Sequence, residues 1–169
     1  MSLSKDAELR MKRILPTRSK TKPMPRRLKI IAILFCIVSS IGLLDAAYLT
    51  IKHYRGGVPP CTIHGCEVVL TSAQSEIAGV PVALLGALYY AAIFLLSLAY
   101  VISKKEKVLR HAAYITPAGF IASAYFVYLQ LFVINAICLY CMASATTSTM
   151  LFMLGMYVII KTRRTSIVQ

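Results

Sequence analysis

The sequence predicts an all-α membrane protein: a four-helix transmembrane bundle with a long extracytoplasmic loop that carries a short surface helix. Three observations predict it. Hydrophobic residues make up 58% of the 169 and charged residues only 15%, where soluble domains carry about a quarter. Four apolar stretches, 28–51, 80–102, 112–134 and 136–160, each exceed the roughly 20 residues that cross a hydrocarbon core. Lysines and arginines gather outside those stretches and give a net charge of +13. Disorder is excluded by the apolar content, with a mean hydropathy of +0.70. Charge alone would suit a nucleic-acid binder, but basic residues flanking apolar blocks are the pattern of a membrane protein.

Residues 1–27 form a basic arm with nine Lys and Arg. Such an arm lies on anionic lipid and sets topology. The first apolar block, 28–51, is too long for the h-region of a signal peptide. Residues 52–79 form a loop with Gly56, Gly57, Pro59 and Pro60, longer than a mere connector needs. Within it, Thr71 and Gln74 read as a capping box for a short helix over about 73–78. Pro81 suits the first turn of the second span. The second and third spans are joined by a basic segment with Lys104, Lys105, Lys107 and Arg110. Only Asn135 separates the third and fourth spans, which predicts a tight antiparallel hairpin. The tail, 161–169, carries Lys161, Arg163 and Arg164, whereas the long loop carries only Lys52 and Arg55. This bias places both termini in the cytoplasm and the long loop and the Asn135 turn outside. The domain division is therefore arm 1–27, transmembrane bundle 28–160, and tail 161–169. No internal repeat of the inverted-repeat transporters is visible.

The five cysteines carry the chemistry. Cys36 lies within the first span and reads as a small buried hydrophobe. The other four fall on the outward, oxidising side, where disulfides persist. Cys138 and Cys141 form C-x-x-C in the first turn of the fourth helix, on one face. Unpaired N–H groups at a helix start favour the thiolate. Cys61 and Cys66 form C-x4-C in the loop. Alone they would read as a loop-closing disulfide. Two pairs on one membrane face suggest a thiol–disulfide relay. Two other readings stay open: a scaffold held by two structural disulfides, and a metal site of Cys61, His64 and Cys66 with His53 or Cys138. Asp45, near the outer end of the first span, either handles protons, or reaches the outer interface, or pairs with Lys52. His64 between the loop cysteines either tunes them or is solvated, and His53 reads as interfacial.

The blocks CEVVLTSAQSEIAGVPVALLG (Cys66–Gly86), AICLYCMASA (Ala136–Ala145) and GLLDAAYLTI (Gly42–Ile51) together resemble vitamin K epoxide reductase homologues, over about residues 28–160. DsbB-type enzymes do similar chemistry, but their C-x-x-C lies in the first outward loop. The resemblance implies a thiol:quinone oxidoreductase. Cys141 would face the quinone, and Cys138 would exchange with the loop pair. Cys66 would bridge transiently to Cys138, and Cys61 would meet an external thioredoxin-like (DsbA-like) protein, separate because no such domain is fused here. Ser72 would lie near the quinone head group. Leu70 and Ala145 stand where animal members carry Phe and Tyr. These departures point away from vitamin K epoxide and toward a lipid quinone of the menaquinone or ubiquinone type.

Overall fold

The computed structural model describes residues 26–61 and 65–167, and side chains as far as residue 162. The basic arm before Arg26, His64, residues 168–169 and the tail side chains past residue 162 lie outside the described residues, so the readings placed on them are not addressed.

Four long helices dominate. They are α1 (Arg26–Tyr54), α3 (Val82–Ser103), α4 (Glu106–Tyr128, widening into a π-helical segment Leu129–Ile134) and α5 (Leu139–Ile167). Each is long and apolar enough to cross a membrane, and the chain is a multi-pass membrane protein. Helix α1 packs on α3 and α5, and α4 packs on α3 and α5, closing a four-helix bundle. The core is built from Phe35, Tyr90, Ile93, Tyr100, Leu109 and Leu151 among others. The outer faces are also apolar: Leu44, Ile102, Ile121 and Met153 are each about two-thirds exposed or more. In water such a surface would drive aggregation. In hydrocarbon it is the ordinary solvent-facing surface.

Lipid gives the helices no hydrophobic reason to associate, so close packing must hold them. Small residues provide it. A Cβ at Gly42 would collide with the Tyr90 ring, one at Gly119 with the Tyr89 phenol, and one at Gly155 with the Thr116 hydroxyl. Pro117 lies inside α4 and supplies no N–H for the Ala113 carbonyl one turn back. The Thr116 hydroxyl donates to that carbonyl instead, at 2.8 Å. Thr116→Val keeps the shape and removes the donor. It is expected to destabilise the bundle by about 1–3 kcal/mol, the cost of a buried acceptor left unsatisfied. Thermal unfolding in detergent checks this.

The helix limits differ from the apolar stretches in informative ways. The third helix starts at Glu106, six residues before the apolar stretch, because Lys104 turns the chain in the left-handed conformation (φ 56°). An acidic residue then begins the new helix, where the macrodipole favours it. The hairpin between α4 and α5 is wider than a single-residue turn. Asn135 adopts the left-handed conformation (φ 52°), and Asn135 and Ala136 both donate backbone N–H groups to the Gln130 carbonyl. Residues 136–138 then run as a link, and α5 begins only at Leu139.

The long loop folds over one end of the bundle. It contains the short helix α2 (Cys66–Leu70), a 3-10 turn (Ala73–Ser75) and a two-residue antiparallel ribbon, β1 (Glu76–Ile77) with β2 (Val80–Pro81). The expected helix over 73–78 is not formed. Ser72 makes no side-chain cap, and the Thr71 hydroxyl donates back to the Glu67 carbonyl at 2.6 Å. The short helix lies earlier, at 66–70. The capping-box residues instead lead into a hairpin turned by Ala78 and Gly79, both at positive φ. Pro81 ends β2 and stands just before α3 rather than inside its first turn.

Candidate active site

The C-x-x-C straddles the start of α5. Cys138 is the residue before the helix, and its carbonyl accepts the Met142 N–H at 3.0 Å. Cys141 lies within the first turn. The expectation that both belong to that turn is corrected: the wider hairpin delays the helix by a few residues. The three-residue spacing still turns the two sulfurs toward each other. The Cys141 thiol first, and then the backbone N–H groups of Cys141 and Tyr140, act on the Cys138 sulfur and hold its pKa below the ordinary thiol value, against the opposing effect of burial. Cys138 and Cys141 are free thiols, as is the half-buried Cys36.

Cys61 and Cys66 are joined in a disulfide, with Cα atoms 6.3 Å apart. Cys66 and Cys138 are both fully buried, in one cluster with Cys61, Val69, Leu70, Tyr140 and Cys141. All four expected redox cysteines therefore meet at one end of the bundle. The close approach depends on Gly65. Its φ is +155°, and a Cβ there would stand 2.7 Å from the Ile137 carbonyl oxygen. Tyr140 adds a second tie, donating its hydroxyl to the Pro60 carbonyl at 3.2 Å. Of the donors in the metal reading, the two loop sulfurs are bonded to one another and His53 pairs with Glu76, while His64 lies outside the described residues. The scaffold reading required two disulfides, and only the loop pair is bonded among the described residues.

On the far side of Cys141 a cavity of about 750 Å³ opens between the helices and under the loop. That volume suits a drug-sized or cofactor-sized ligand. Small residues make the space: Ala46 on α1, Gly86 on α3, Ala118, Gly119 and Ala122 on α4, and Ala145 on α5. Cys141, Ser144, Ala145 and Ser148 line it from one face of α5, as their three- and four-residue spacing dictates. Leu70 and Ser72 line it from the loop. The structure thus gathers Cys141, Leu70, Ser72 and Ala145 around one space. The Ser72 hydroxyl, however, donates to the Val69 carbonyl at 2.7 Å, so its proton is turned away from the cavity.

Asp45 does not line the cavity. It approaches the cysteines from α1 and lies within electrostatic reach of Cys138, Cys141, Tyr90 and Tyr140. One carboxylate oxygen is buried without a hydrogen-bond partner. Lys52 is not its partner, because that ammonium sits over the Tyr48 ring, 5.7 Å from its centroid.

Two features escaped the sequence reading. His53 Nε2 stands 3.0 Å from Glu76 Oε1, clasping the end of α1 to the ribbon; both residues border the cavity. Gln130 is 98% buried, and its side-chain carbonyl accepts the Cys138 N–H at 2.9 Å. A lone amide in an apolar span was the available signal. Gln130→Leu strands that N–H. It is expected to lower stability by about 1–3 kcal/mol and to slow disulfide exchange at Cys138. Thermal unfolding and thiol-exchange kinetics of the same variant check the two effects.

A vitamin K epoxide reductase family model matches residues 33–156, which take in most of the bundle, from within α1 to within α5, and all four paired cysteines. The thiol-disulfide oxidoreductase LTO1 of Arabidopsis thaliana is 38% identical over 124 residues, covering 67% of this chain and 32% of that protein. The chain thus spans about a third of the curated relative it matches. With its loop disulfide packed against a C-x-x-C at the mouth of a four-helix bundle, the chain belongs to the vitamin K epoxide reductase family.

Proposed function

We propose that the protein is a membrane thiol:quinone oxidoreductase that supports disulfide formation in secreted proteins. The observation that carries this reading is the linear order of the site. The Cys61–Cys66 disulfide adjoins buried Cys138, and Cys141 opens from the same pair into an apolar cavity. One end of that line faces a protein partner, and the other faces a lipid-soluble acceptor.

A thioredoxin-like (DsbA-like) dithiol outside the membrane attacks the loop disulfide at Cys61 and leaves oxidised, with Cys61 and Cys66 reduced. Cys66 then attacks Cys138 of the Cys138–Cys141 disulfide, and Cys61 resolves the bridge. The loop disulfide is restored and the C-x-x-C is left as a dithiol. This is the redox arrangement of the structure. Cys141 passes the electron pair to the quinone as Cys138 closes back onto it. Overall, one partner dithiol and one quinone become one partner disulfide and one hydroquinone. Two electrons and two protons are transferred, and Asp45 beside the thiols handles the protons. The relative's description as a thiol-disulfide oxidoreductase supports the same chemistry.

The residues suit a quinone of the menaquinone or ubiquinone type. The cavity is apolar and sized for a ring head group, and Leu70, Ser72 and Ala145 border it beside Cys141. The bias of Lys and Arg places this end of the bundle outside the cell membrane, with the arm 1–27 and the tail 161–169 in the cytoplasm around the redox domain 28–160. Purified protein in detergent, given a dithiol and a short-chain quinone, is expected to turn over. No reduction of any quinone tested would overturn this reading.

A further inference from the structure

The deep wall of the cavity carries an unspent pair of hydroxyls. Hydroxyls in such a place normally bond to something, because a buried polar group without a partner is costly. Most of those here do. Tyr90 donates to the Ser144 carbonyl at 2.7 Å and also meets Thr147 at 2.8 Å. Ser72 is committed to Val69, and Thr71 to Glu67. Tyr89 and Ser148 differ. Both line the cavity, and both oxygens are buried with no hydrogen bond formed. They face one another across the bundle between α3 and α5, close enough for Ser148 to act on the Tyr89 phenol as a weak hydrogen-bond partner, but the two oxygens make no bond of ordinary geometry.

The place is built rather than incidental. Gly119 on α4 leaves room for the Tyr89 phenol, since any Cβ there would overlap it. The neighbouring Tyr90 ring packs edge-on against it, with centroids 5.1 Å apart. Ser148 lies seven residues beyond Cys141 on the same face of α5, or about 10.5 Å along the axis. A six-membered para-quinone ring with a hydrogen bond at its far carbonyl fits that span.

We infer that the Tyr89 and Ser148 hydroxyls form the second polar contact of the cavity, donating to the quinone carbonyl farther from Cys141. The inference rests on the quinone reading above and adds to it the residues that orient the ring. With the distal oxygen held, the near side of the ring is presented to Cys141, and the acceptor is selected for having a carbonyl at that depth. A site built to bond an oxygen rejects a ligand that lacks it, because its own donors are then stranded.

The test is steady-state kinetics of the full-length protein in detergent, with a small dithiol and a short-chain ubiquinone. Tyr89→Phe and Ser148→Ala are each expected to raise the quinone KM about five- to tenfold, the effect of one lost hydrogen bond, while the dithiol KM stays unchanged. The double variant is expected to fall short of the product of the two, because both hydroxyls serve one oxygen. Thermal unfolding separates this from a packing role. A lower Tm with both KM values moving together would overturn the inference. So would an unchanged quinone KM in both variants of an enzyme whose wild type reduces quinone. If the wild type reduces no quinone, the functional reading itself falls and takes this inference with it.

Discussion

Cys141→Ser is expected to abolish quinone reduction, lowering turnover by at least about 10³-fold, the scale of losing a reaction's nucleophile. The reason is positional. Of the four paired cysteines, Cys141 alone lines the cavity, so no other paired thiol stands where an electron pair can leave for a lipid-soluble acceptor. Serine is nearly isosteric and keeps the first turn of α5 intact, so the loss reports chemistry rather than folding. The variant is expected to retain one half of the relay. Cys138 remains a thiol beside the buried loop disulfide, so the variant can still form a mixed disulfide with Cys66 but cannot resolve it through Cys141. A Cys66–Cys138 linkage trapped by mild oxidation of the Cys61→Ser/Cys141→Ser double variant, where neither resolving thiol remains, and seen by peptide mapping under non-reducing conditions, is the companion result. Full quinone turnover in Cys141→Ser would remove Cys141 from the acceptor end.

Much of this architecture was legible in the sequence, because bilayer thickness leaves few choices. Stretches such as 80–102 can only be spanning helices, and the apolar exterior follows from the same fact. The site was legible for a similar reason. Cys138 and Cys141 are locked into one helical turn by spacing, and Cys61 and Cys66 lie in one loop, so topology alone brings the pairs to one end. Contacts set by long-range geometry were not legible. The bond from Gln130 to the Cys138 N–H depends on the π-helical widening of 129–134, which no periodicity announces. The clasp between His53 and Glu76 joins residues 23 positions apart through a ribbon that was read as a helix. That misreading had a local cause. Thr71-x-x-Gln74 fits a capping box, but Ala78 and Gly79 turn the chain back at once, and an antiparallel ribbon wins over a helix too short to sustain itself.

Gly65→Val is the complementary test, at the donor end of the relay. Gly65 holds a backbone conformation that side chains rarely adopt, and it lies directly on the backbone of Ile137, one residue before Cys138. A branched side chain there has nowhere to go. It must lift the start of α2 away from the α4–α5 hairpin, and Cys66 leaves with it. Transfer from a thioredoxin-like protein donor is expected to fall by about 10²-fold or more, the penalty for an ångström-scale misplacement of reacting groups. Cys141 and the helical walls of the cavity keep their places, Leu70 at the end of α2 shifts with the loop, and lifting the loop uncovers the otherwise buried Cys138. A small dithiol is therefore expected to drive quinone reduction as well as in wild type, or better. The opposed responses to the two donors are the signature of a shuttle. A purely structural loop disulfide predicts that both activities fall together with the Tm, and that result would return Cys61 and Cys66 to the role of a staple.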